Sequence, residues 1–404
     1  MKNVLILTYW SYPDALIQTY TLPYIRILKK NLSKGSCVFL LTLEKNKEIL
    51  AEKRKSEITS LLADEGIQWL PFAYHSFGLS GLLMWAHILT RLVVLVVRKN
   101  IFAVHCWCTP PGAIGYLLSL FLNRKLVLDS YEPHAEAMVE NGTWKRQGFA
   151  FKLLFWLEKK QTQRADFVIS ATEGMREYAK QKYGVDIKNF FVKPACVDLN
   201  LFNTERLPNL ELRKQLGLEH KLTCVYAGKF GGIYLSNEVF DFIREAIDYW
   251  GENFRFLILT NHSISEIAGY CSRAKVNIDQ IIVRFVPHHE IASYMKLADF
   301  ALTPVKPVPT KRYCTPIKNG EYWALGLPVV IPANISDDSC IIEKNGIGIV
   351  LHELNQMEYK NAIVKIDELR NRIGIHATIR GIAIRYRNFS IAEEVYRKVY
   401  SNIQ

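Results

Sequence analysis

TPIKNGEYWALGLPVV, residues 315–330, predicts a short helix that leads directly into a buried strand. Thr315 has the side chain of a helix N-cap, and Pro316 suits the first helical position. Gly326 is the residue type at which helices commonly end, and the apolar run behind it suits a strand of a parallel sheet. A helix that passes through a glycine into a buried strand is one unit of an α/β sheet.

Glu321 stands in the middle of this helix, on a segment that is expected to pack beneath the sheet. A buried ionised carboxylate is costly unless it accepts hydrogen bonds, and a sugar diol offers two donors at once. The free N–H groups at the start of the helix suit a pyrophosphate. We therefore interpret Glu321 as the residue that holds the ribose of a nucleotide. The alternative is an ordinary glutamate on a solvent-facing side of the helix.

Short apolar runs alternate with helical patterns along the whole chain. The runs of the first half are VLILTY (4–9), CVFLLTL (37–43), IQWLPFA (67–73), FAVHCWC (102–108), KLVLDS (125–130) and DFVISA (166–171). Those of the second half are LTCVYAG (222–228), FRFLILT (254–260), IIVRFVP (281–287), DFALTPV (299–305), PVVIPA (328–333) and GIGIVL (346–351). This alternation predicts two doubly wound, Rossmann-like α/β domains, 1–205 and 206–385, with 386–404 as a C-terminal helix closing the chain. Ligands of such sheets bind at the carboxyl ends of the strands, so the site is expected in the cleft between the two domains.

The composition favours a basic protein that works on an anionic partner. The 51 Lys and Arg residues exceed the 39 Asp and Glu residues, and the formal net charge is +12. No zinc-finger, helix-turn-helix or ribonucleoprotein motif is present, so nucleic acid is not the expected partner. The eight cysteines form no C-x-x-C motif, which is typical of reduced thiols in a cytoplasmic protein. The longest apolar region, 81–100, is interrupted by polar residues and predicts a core-facing helix, so the protein is expected to be soluble or peripheral.

The opening stretch resembles the signature helix of the retaining GT-B glycosyltransferases of glycosyltransferase family 4, also known as glycosyl transferases group 1. The residues that match are Lys318, Glu321, Tyr322, Ala324, Gly326, Pro328, Val329 and Val330. EIASYMKLADFALTPV (290–305) and VYAGKFGGIY (225–234) are similar to other stretches of the same family. The resemblance implies a GT-B fold, a ribose-binding role for Glu321, and transfer of a sugar with retention.

The resemblance also implies a donor site on the second domain. Gly228 and Lys229 follow the first strand of that domain and would face the phosphates, together with the helix start at Thr315 and Lys318. Phe285 and Val286 would present their backbone to the nucleobase. The family generally needs no metal, and adjacent His288 and His289 do not face one ion readily, so no metal site or cofactor is expected.

The sequence departs from the family pattern at two positions. Many members carry a second acidic residue eight positions before the ribose glutamate, where this chain has Tyr313. The second basic residue that usually contacts the pyrophosphate is also missing, near Tyr234. Lys318, Arg312 or Lys311 could supply that charge.

LDSYEPHAEAM, residues 128–138, begins at the end of a predicted strand of the first domain and should face the site. In the resembling enzymes a histidine after this strand lies by the donor sugar, which implies a catalytic role for His134. Glu132 or Asp129 would orient its imidazole or meet the acceptor hydroxyl. The alternative is a loop histidine that bonds only to backbone.

WKRQGFAFKLLFWLEKKQTQR, residues 144–164, interleaves aromatic and basic side chains and contains a single acid, Glu158. Such a helix could rest on an anionic membrane. The alternative is a core helix with a basic solvent face.

The expected protein is therefore a glycosyltransferase that moves a sugar from a UDP- or GDP-linked donor to a glycan or lipid-linked hydroxyl acceptor. The expected setting is cell-surface polysaccharide or glycolipid synthesis, in the cytoplasm or peripheral at the inner membrane face. Two alternatives stay open: a nucleotide-sugar epimerase of the same fold, and a non-catalytic membrane scaffold with a degenerate nucleotide site.

Overall fold

The computed structural model describes residues 2–75, 78–204 and 209–403. The chain forms two compact units, one of Met1–Lys193 with Ser390–Gln404 and one of Pro194–Phe389. The predicted boundary between 205 and 206 lies outside the described residues; the two units part earlier, after Lys193. The predicted closing helix, 386–404, is observed at Phe389–Ile403, and from Ser390 onward it belongs to the first unit.

The first unit is built on a parallel sheet of seven strands. They are β1 (Asn3–Leu7), β2 (Val38–Glu44), β3 (Ile67–Ala73), β4 (Ile101–Trp107), β5 (Lys125–Tyr131), β6 (Phe167–Ser170) and β7 (Phe190–Val192). Their order across the sheet is β3-β2-β1-β4-β5-β6-β7. The order reverses between β1 and β4, which is the switch point of a doubly wound fold.

Seven α-helices of the first unit connect these strands, and an eighth ends the chain. They are α1 (Leu22–Lys30), α2 (Glu52–Asp64), α3 (Leu79–Arg98), α4 (Thr109–Leu122), α5 (His134–Glu140), α6 (Phe149–Arg164), α7 (Gly174–Tyr178) and the last helix of the chain, α16 (Phe389–Ile403). α4 contacts both α3 and α6, so these three helices form one layer over the sheet.

The second unit repeats the architecture with six parallel strands. They are β8 (Leu222–Ala227), β9 (Phe254–Leu259), β10 (Ile281–Arg284), β11 (Phe300–Leu302), β12 (Val329–Pro332) and β13 (Gly348–Leu351), in the order β10-β9-β8-β11-β12-β13. The helices are α8 (Leu210–Gln215), α9 (Asn237–Trp250), α10 (Ile264–Ala274), α11 (His288–Met295), α12 (Ile317–Ala324), α13 (Asp338–Asn345), α14 (Gln356–Arg370) and α15 (Ile375–Arg387). The switch point lies between β8 and β11.

Both faces of this second sheet are buried. Alternate side chains of β8 enter different cores: Val225 and Ala227 pack in the cluster that contains Trp323 of α12. Cys224 and Tyr226 pack in the cluster on the opposite face, formed with α9 and α14. Burial of both faces explains why these strands read as continuous apolar runs.

All twelve predicted strands are confirmed, and the sheet of the first unit carries one strand more. β7 is only three residues long, and its sequence FFV carries too little pattern to be recognised. The prediction that α3 faces the core is confirmed for one stripe of the helix, whereas the opposite side exposes large apolar side chains that the pattern did not predict. By length and composition α3 could cross a membrane, but only 28% of its most apolar window is buried.

Candidate functional site

The helix that carries Glu321 begins one residue later than predicted. α12 has Pro316 as its N-cap, and no side chain caps it. Thr315 is therefore not the N-cap, and its hydroxyl instead shares a hydrogen bond of 3.3 Å with that of Ser336. The predicted stop is confirmed: Gly326 has a φ of +73°, and a Cβ there would lie 2.9 Å from a backbone oxygen of His376. A side chain at this position would be both strained and obstructed.

The side chain of Glu321 is largely buried, and its carboxylate accepts no hydrogen bond from the described residues. The residue is 7% exposed, and within the described parts of the chain no donor bonds its side-chain oxygens. The imidazole of His288 lies beside it, with Nε2 at 4.0 Å from Oε1. A carboxylate in such a place is costly unless a donor reaches it, so the position is suited to a ligand that carries hydroxyl groups.

A buried polar network holds α12 in a fixed rotation. The amide of Asn319 donates a hydrogen bond of 2.6 Å to Asp338, and its carbonyl oxygen accepts one from the hydroxyl of Thr303. Arg387 makes an ion pair with the other oxygen of Asp338. Since all four side chains are buried, rotation of α12 would leave several polar groups unpaired. The network therefore fixes the direction of the neighbouring Glu321 side chain.

The glycine-rich loop after β8 is held by hydrogen bonds from both sides. The N–H of Phe230 donates to Nε2 of His262 at 3.0 Å, and the hydroxyl of Tyr226 donates to the carbonyl oxygen of Lys229 at 2.5 Å. The N–H of Gly228 donates a hydrogen bond to the carbonyl oxygen of Leu259 on the neighbouring strand β9. His262 follows the end of β9, and no pattern in the sequence singled it out.

A second contact joins this loop to α12. The hydroxyl oxygen of Tyr322, the residue after Glu321, accepts a hydrogen bond of 3.0 Å from the N–H of Ala227, the last residue of β8. The predicted ribose residue and the predicted phosphate loop are therefore anchored on each other. The structure brings Glu321, Gly228 and Lys229 into one neighbourhood.

Phe285 and Val286 lie at the carboxyl end of β10, as predicted. Phe285 is 76% exposed, whereas Val286 packs against the core. His288, at the start of α11, brings the end of this short segment to within 4.0 Å of Glu321. The segment predicted for the nucleobase therefore ends beside the residue predicted for the ribose.

Several basic side chains of the second unit have no acidic partner. Within the described residues no acid forms an ion pair with Lys229, Lys311, Arg312 or Lys318, and Lys311 is only 9% exposed. Cations without partners favour an anion such as a diphosphate. They lie on the same segments as Glu321 and the glycine loop. Tyr313 follows Arg312 and precedes Lys318 in the chain, and it occupies the position where many members of the resembling family carry an acid.

His134 lies at the start of α5 in the first unit, close to Glu132. Its Nδ1 is 3.8 Å from Oε1 of Glu132, and its ring meets the ring of Tyr9 edge-on at 6.1 Å between centroids. The side chain of His134 is 16% exposed. Burial raises the pKa of the Tyr9 hydroxyl, and the nearby Cys108 and Glu132 raise it further. Glu132 is thus the acid that can orient the imidazole.

Asp129 does not reach this group, and its predicted catalytic role is corrected. Its side chain is fully buried and is held by four neighbours: the N–H of Ser130 at 2.5 Å, the hydroxyl of Tyr396 at 2.7 Å, Nε2 of His105 at 3.0 Å and the ammonium of Lys193 at 3.2 Å. Burial alone would raise the pKa of Asp129, but Lys193 and then His105 and Tyr396 outweigh it and lower the pKa to about 2. Asp129 is a structural carboxylate of the core.

Glu158 of α6 supports the turn that carries His134. It is fully buried, and its Oε1 accepts hydrogen bonds from the N–H of Ala135 at 2.9 Å and from the hydroxyl of Thr109 at 3.1 Å. The hydroxyl of Tyr183 donates to Oε2 at 2.9 Å. Burial raises the pKa of Glu158 to about 7, although these hydrogen bonds oppose the shift.

Comparison with known protein families gives a match that lies within the second unit. Residues 308–374 match the family described as glucosyltransferase 3-like, C-terminal domain, and this range contains α12 and Glu321. A search of curated protein sequences found no match to the chain. Within the described residues no group of three or more His, Cys, Asp or Glu side chains could hold a metal ion.

Solved structures match the chain over nearly its whole length. HepE from Anabaena, in complex with UDP, has a TM-score of 0.72 and 15% identity, and the match covers 99% of this chain and 100% of HepE. WaaG, a glycosyltransferase involved in lipopolysaccharide biosynthesis, has a TM-score of 0.72 and 14% identity over 100% of this chain and 99% of WaaG. The chain therefore has the GT-B fold. A putative UDP-N-acetylglucosamine 2-epimerase from Listeria monocytogenes also matches this GT-B protein, with a TM-score of 0.61, 13% identity and coverage of 97% and 94%.

In this GT-B protein, stability should depend on pH through Glu158. A carboxyl whose pKa is raised from its ordinary 4.5 to about 7 binds its proton more tightly in the folded state. Its contribution is fully present below pH 4.5 and is lost as the pH rises through 7. The loss should be about 3 kcal/mol, since each unit of pKa difference corresponds to about 1.4 kcal/mol. We expect the urea midpoint of wild type to fall relative to that of Glu158→Gln as the pH rises through this window.

The matched control is Glu57→Gln, which removes an exposed carboxylate of the same unit. Its urea midpoint should run parallel to that of wild type over the same pH range. Parallel curves for Glu158→Gln would show instead that Glu158 is ionised in the folded state throughout.

Proposed function

We propose that this GT-B protein is an enzyme that transfers a sugar from a nucleoside-diphosphate donor to a hydroxyl acceptor, with retention of configuration. The observation that carries the proposal is the buried carboxylate of Glu321, which has no hydrogen-bond partner among the described residues and lies on the same segments as several cations without acids. A nucleoside diphosphate satisfies both features, since its ribose diol donates two hydrogen bonds and its diphosphate is anionic. The structural relative HepE has been crystallised with UDP and with UDP-glucose, which supports a UDP-linked donor.

The second unit would bind the donor in three parts. Glu321 accepts the two hydroxyl groups of the ribose, and the backbone of Phe285 and Val286 contacts the base. Lys229 and the basic residues around the start of α12, among them Lys318, meet the diphosphate. The loop after β8 is already fixed by His262, so these groups need little reorganisation when the donor binds.

The chemical step would be driven mainly by electrostatic stabilisation of the leaving group. The bond between the anomeric carbon and the diphosphate oxygen breaks, and its electron pair stays on the diphosphate, where Lys229 and its neighbours stabilise the charge. The acceptor hydroxyl attacks the oxocarbenium-like carbon from the face that the diphosphate leaves, and its proton passes to the departing phosphate oxygen. His134, oriented by Glu132, would lie by the sugar.

The proposal extends to the setting of the reaction. The acceptor would be a glycan or a lipid-linked sugar of a cell-surface polysaccharide or glycolipid. The protein would work in the cytoplasm, peripheral at the inner membrane face, and without a metal ion. Addition of EDTA should therefore leave its activity unchanged.

The test is a turnover assay with UDP- and GDP-linked hexoses, with and without octyl glycosides as hydroxyl acceptors. We expect release of the nucleoside diphosphate to depend on the acceptor, and His134→Ala to slow it about 100-fold or more. His134→Ala should still be stabilised by the nucleotide, because its change lies in the other unit. His87→Ala, at an exposed histidine of the same unit, is the control.

The two alternative functions give different results in this assay. An epimerase would convert the donor sugar in the absence of any acceptor. A non-catalytic scaffold would release no nucleoside diphosphate from the donor, whether or not it binds the nucleotide. Either result would overturn the proposed transfer.

A further inference from the structure

The helix α3 exposes an apolar face that its own unit does not cover. One stripe packs against the sheet and α4, formed by Gly81, Met84, Ile88, Leu92 and Val96. The first turns expose large apolar side chains on the other side: Leu79 is 75% exposed, Leu82 67% and Leu83 62%. Val94 and Val97 are exposed near the end of the helix. Contiguous apolar surface of this kind marks a site of contact with a partner or a membrane.

Two further helices of the same layer, α4 against α3 and α6 against α4, also expose apolar side chains. α4 exposes Leu120 and Phe121, and α6 exposes Phe149, Leu153 and Trp156. Each of the three helices runs back from the carboxyl edge of the sheet, so the first turns of α3 and α6 lie at the same edge as His134. The apolar surface therefore borders the edge that carries the predicted catalytic group.

The charges of this layer have one sign. The three fully described helices contain six basic residues, Arg91, Arg98, Lys152, Lys159, Lys160 and Arg164. Their one acid is Glu158, which is fully buried. No exposed acid interrupts the layer. A surface that is apolar and basic, without acids, complements the headgroups and acyl chains of an anionic bilayer.

A second copy of the chain is a poorer occupant than a membrane. Two such layers face to face would bring basic residues opposite basic residues, and like charges repel. A membrane span is also excluded for the folded unit. The buried stripe of α3 packs on β4 and α4, so the helix cannot leave the sheet without opening the core.

We propose that the outer face of α3, α4 and α6 docks on an anionic lipid bilayer, with α3 lying in the plane of the interface. Leu79, Leu82 and Leu83 enter the boundary between headgroups and acyl chains, and so do Phe149 and Trp156 of α6 on the other side of α4. The basic side chains contact the headgroups. This surface deepens the proposed function, on whose peripheral membrane setting it rests, by assigning the membrane contact to the unit that does not carry Glu321; it involves no nucleotide.

The test is co-sedimentation of the full-length protein with vesicles of phosphatidylglycerol and phosphatidylcholine, or of phosphatidylcholine alone. We expect wild type to bind the anionic vesicles at least ten times more tightly at low salt. The double variant Leu82→Glu, Leu83→Glu should lose at least tenfold of that binding, and Leu82→Ser, Leu83→Ser should weaken it without adding charge.

The control is the double variant Ile264→Glu, Met357→Glu, which adds the same two charges at exposed apolar positions of the other unit. It should bind vesicles as wild type does. All variants should keep their response to UDP in a thermal melt, which separates this proposal from the proposed transfer. The proposal is overturned if wild type ignores anionic vesicles or if the Leu82, Leu83 variants bind like wild type. It also fails if wild type is a dimer that these variants dissociate.

Discussion

Replacing Glu321 by alanine should abolish the stabilisation that a nucleoside diphosphate gives to this protein. The wild-type carboxylate would accept two hydrogen bonds from the ribose diol, and bonds to a charged group contribute about 1.5–3 kcal/mol each. Loss of both lowers affinity by a factor of about 100 or more. The ligand-free variant should be as stable as wild type or more so, because Glu321 accepts no hydrogen bond from the described residues and its burial is costly.

The measurement is a thermal melt of wild type and variants with UDP or GDP. A ligand at one hundred times its Kd should stabilise wild type by about 2.7 kcal/mol. Glu321→Gln should retain part of the response, since the amide oxygen can accept one of the two bonds. Glu219→Ala, which removes an exposed carboxylate near the amino end of β8, should respond as wild type does. An equal response from Glu321→Ala would identify Glu321 as an ordinary helix residue and would favour the scaffold.

The fold could be predicted from the sequence because the central strands of both sheets are buried on both faces. A strand such as β8 then reads as an uninterrupted apolar run, which local pattern alone detects. The same reasoning accounts for only the buried stripe of α3 and not for its exposed apolar side. Its composition resembles that of a core helix, but whether an apolar face is covered depends on what lies beside it in three dimensions, and local pattern does not contain that information.

The place of a candidate site residue in the fold could be predicted where the sequence marks the end of a strand or helix. Gly326, Lys229 and Phe285 stand at strand or helix ends, which turn residues and apolar runs mark in the sequence. Asn319 and His262 had no such signal. Each acts through a partner distant in the chain: Asn319 through Asp338, and His262 through the N–H of Phe230.

Asp129 shows how a correct position in the chain can lead to a wrong role. It lies near the carboxyl end of a strand at which ligands bind, but its side chain turns into the core. The reason is Lys193, more than sixty residues later, whose ammonium needs a carboxylate once it is buried. Only the folded chain shows that the two residues compensate each other.

This buried pair predicts the largest change in stability. The ammonium of Lys193 lies 3.2 Å from Asp129 and 3.7 Å from the centre of the Tyr24 ring, and both charged side chains are fully buried. Removing one partner leaves the other charge alone in the core, which costs about 3–5 kcal/mol. We therefore expect Lys193→Met and Asp129→Asn each to lower the urea midpoint strongly. The double variant should recover much of the loss, because it leaves no isolated charge.

The exposed pair between Lys125 and Asp166 is the matched control. It lies in the same unit at 2.8 Å, with Lys125 half exposed. Lys125→Met should cost less than about 1 kcal/mol, because water screens the pair and solvates the remaining charge. If the two single changes in the buried pair add without recovery in the double variant, the network around Asp129 is held by its neighbours and not by the ion pair.

Loss of the pair should also release α16, the last helix of the chain. Tyr396 of α16 donates its hydroxyl to Asp129, and its ring lies beneath the ammonium of Lys193, so both partners anchor this helix to the first unit. In Lys193→Met we expect trypsin to cut α16 at Arg397 and Lys398 faster than in wild type. The effect should grow toward neutral pH, because Asp129, with its pKa lowered to about 2 in wild type, is the group left ionised. Protonation of Asp129 in the variant at low pH removes the isolated charge, so the difference between the two proteins should narrow there.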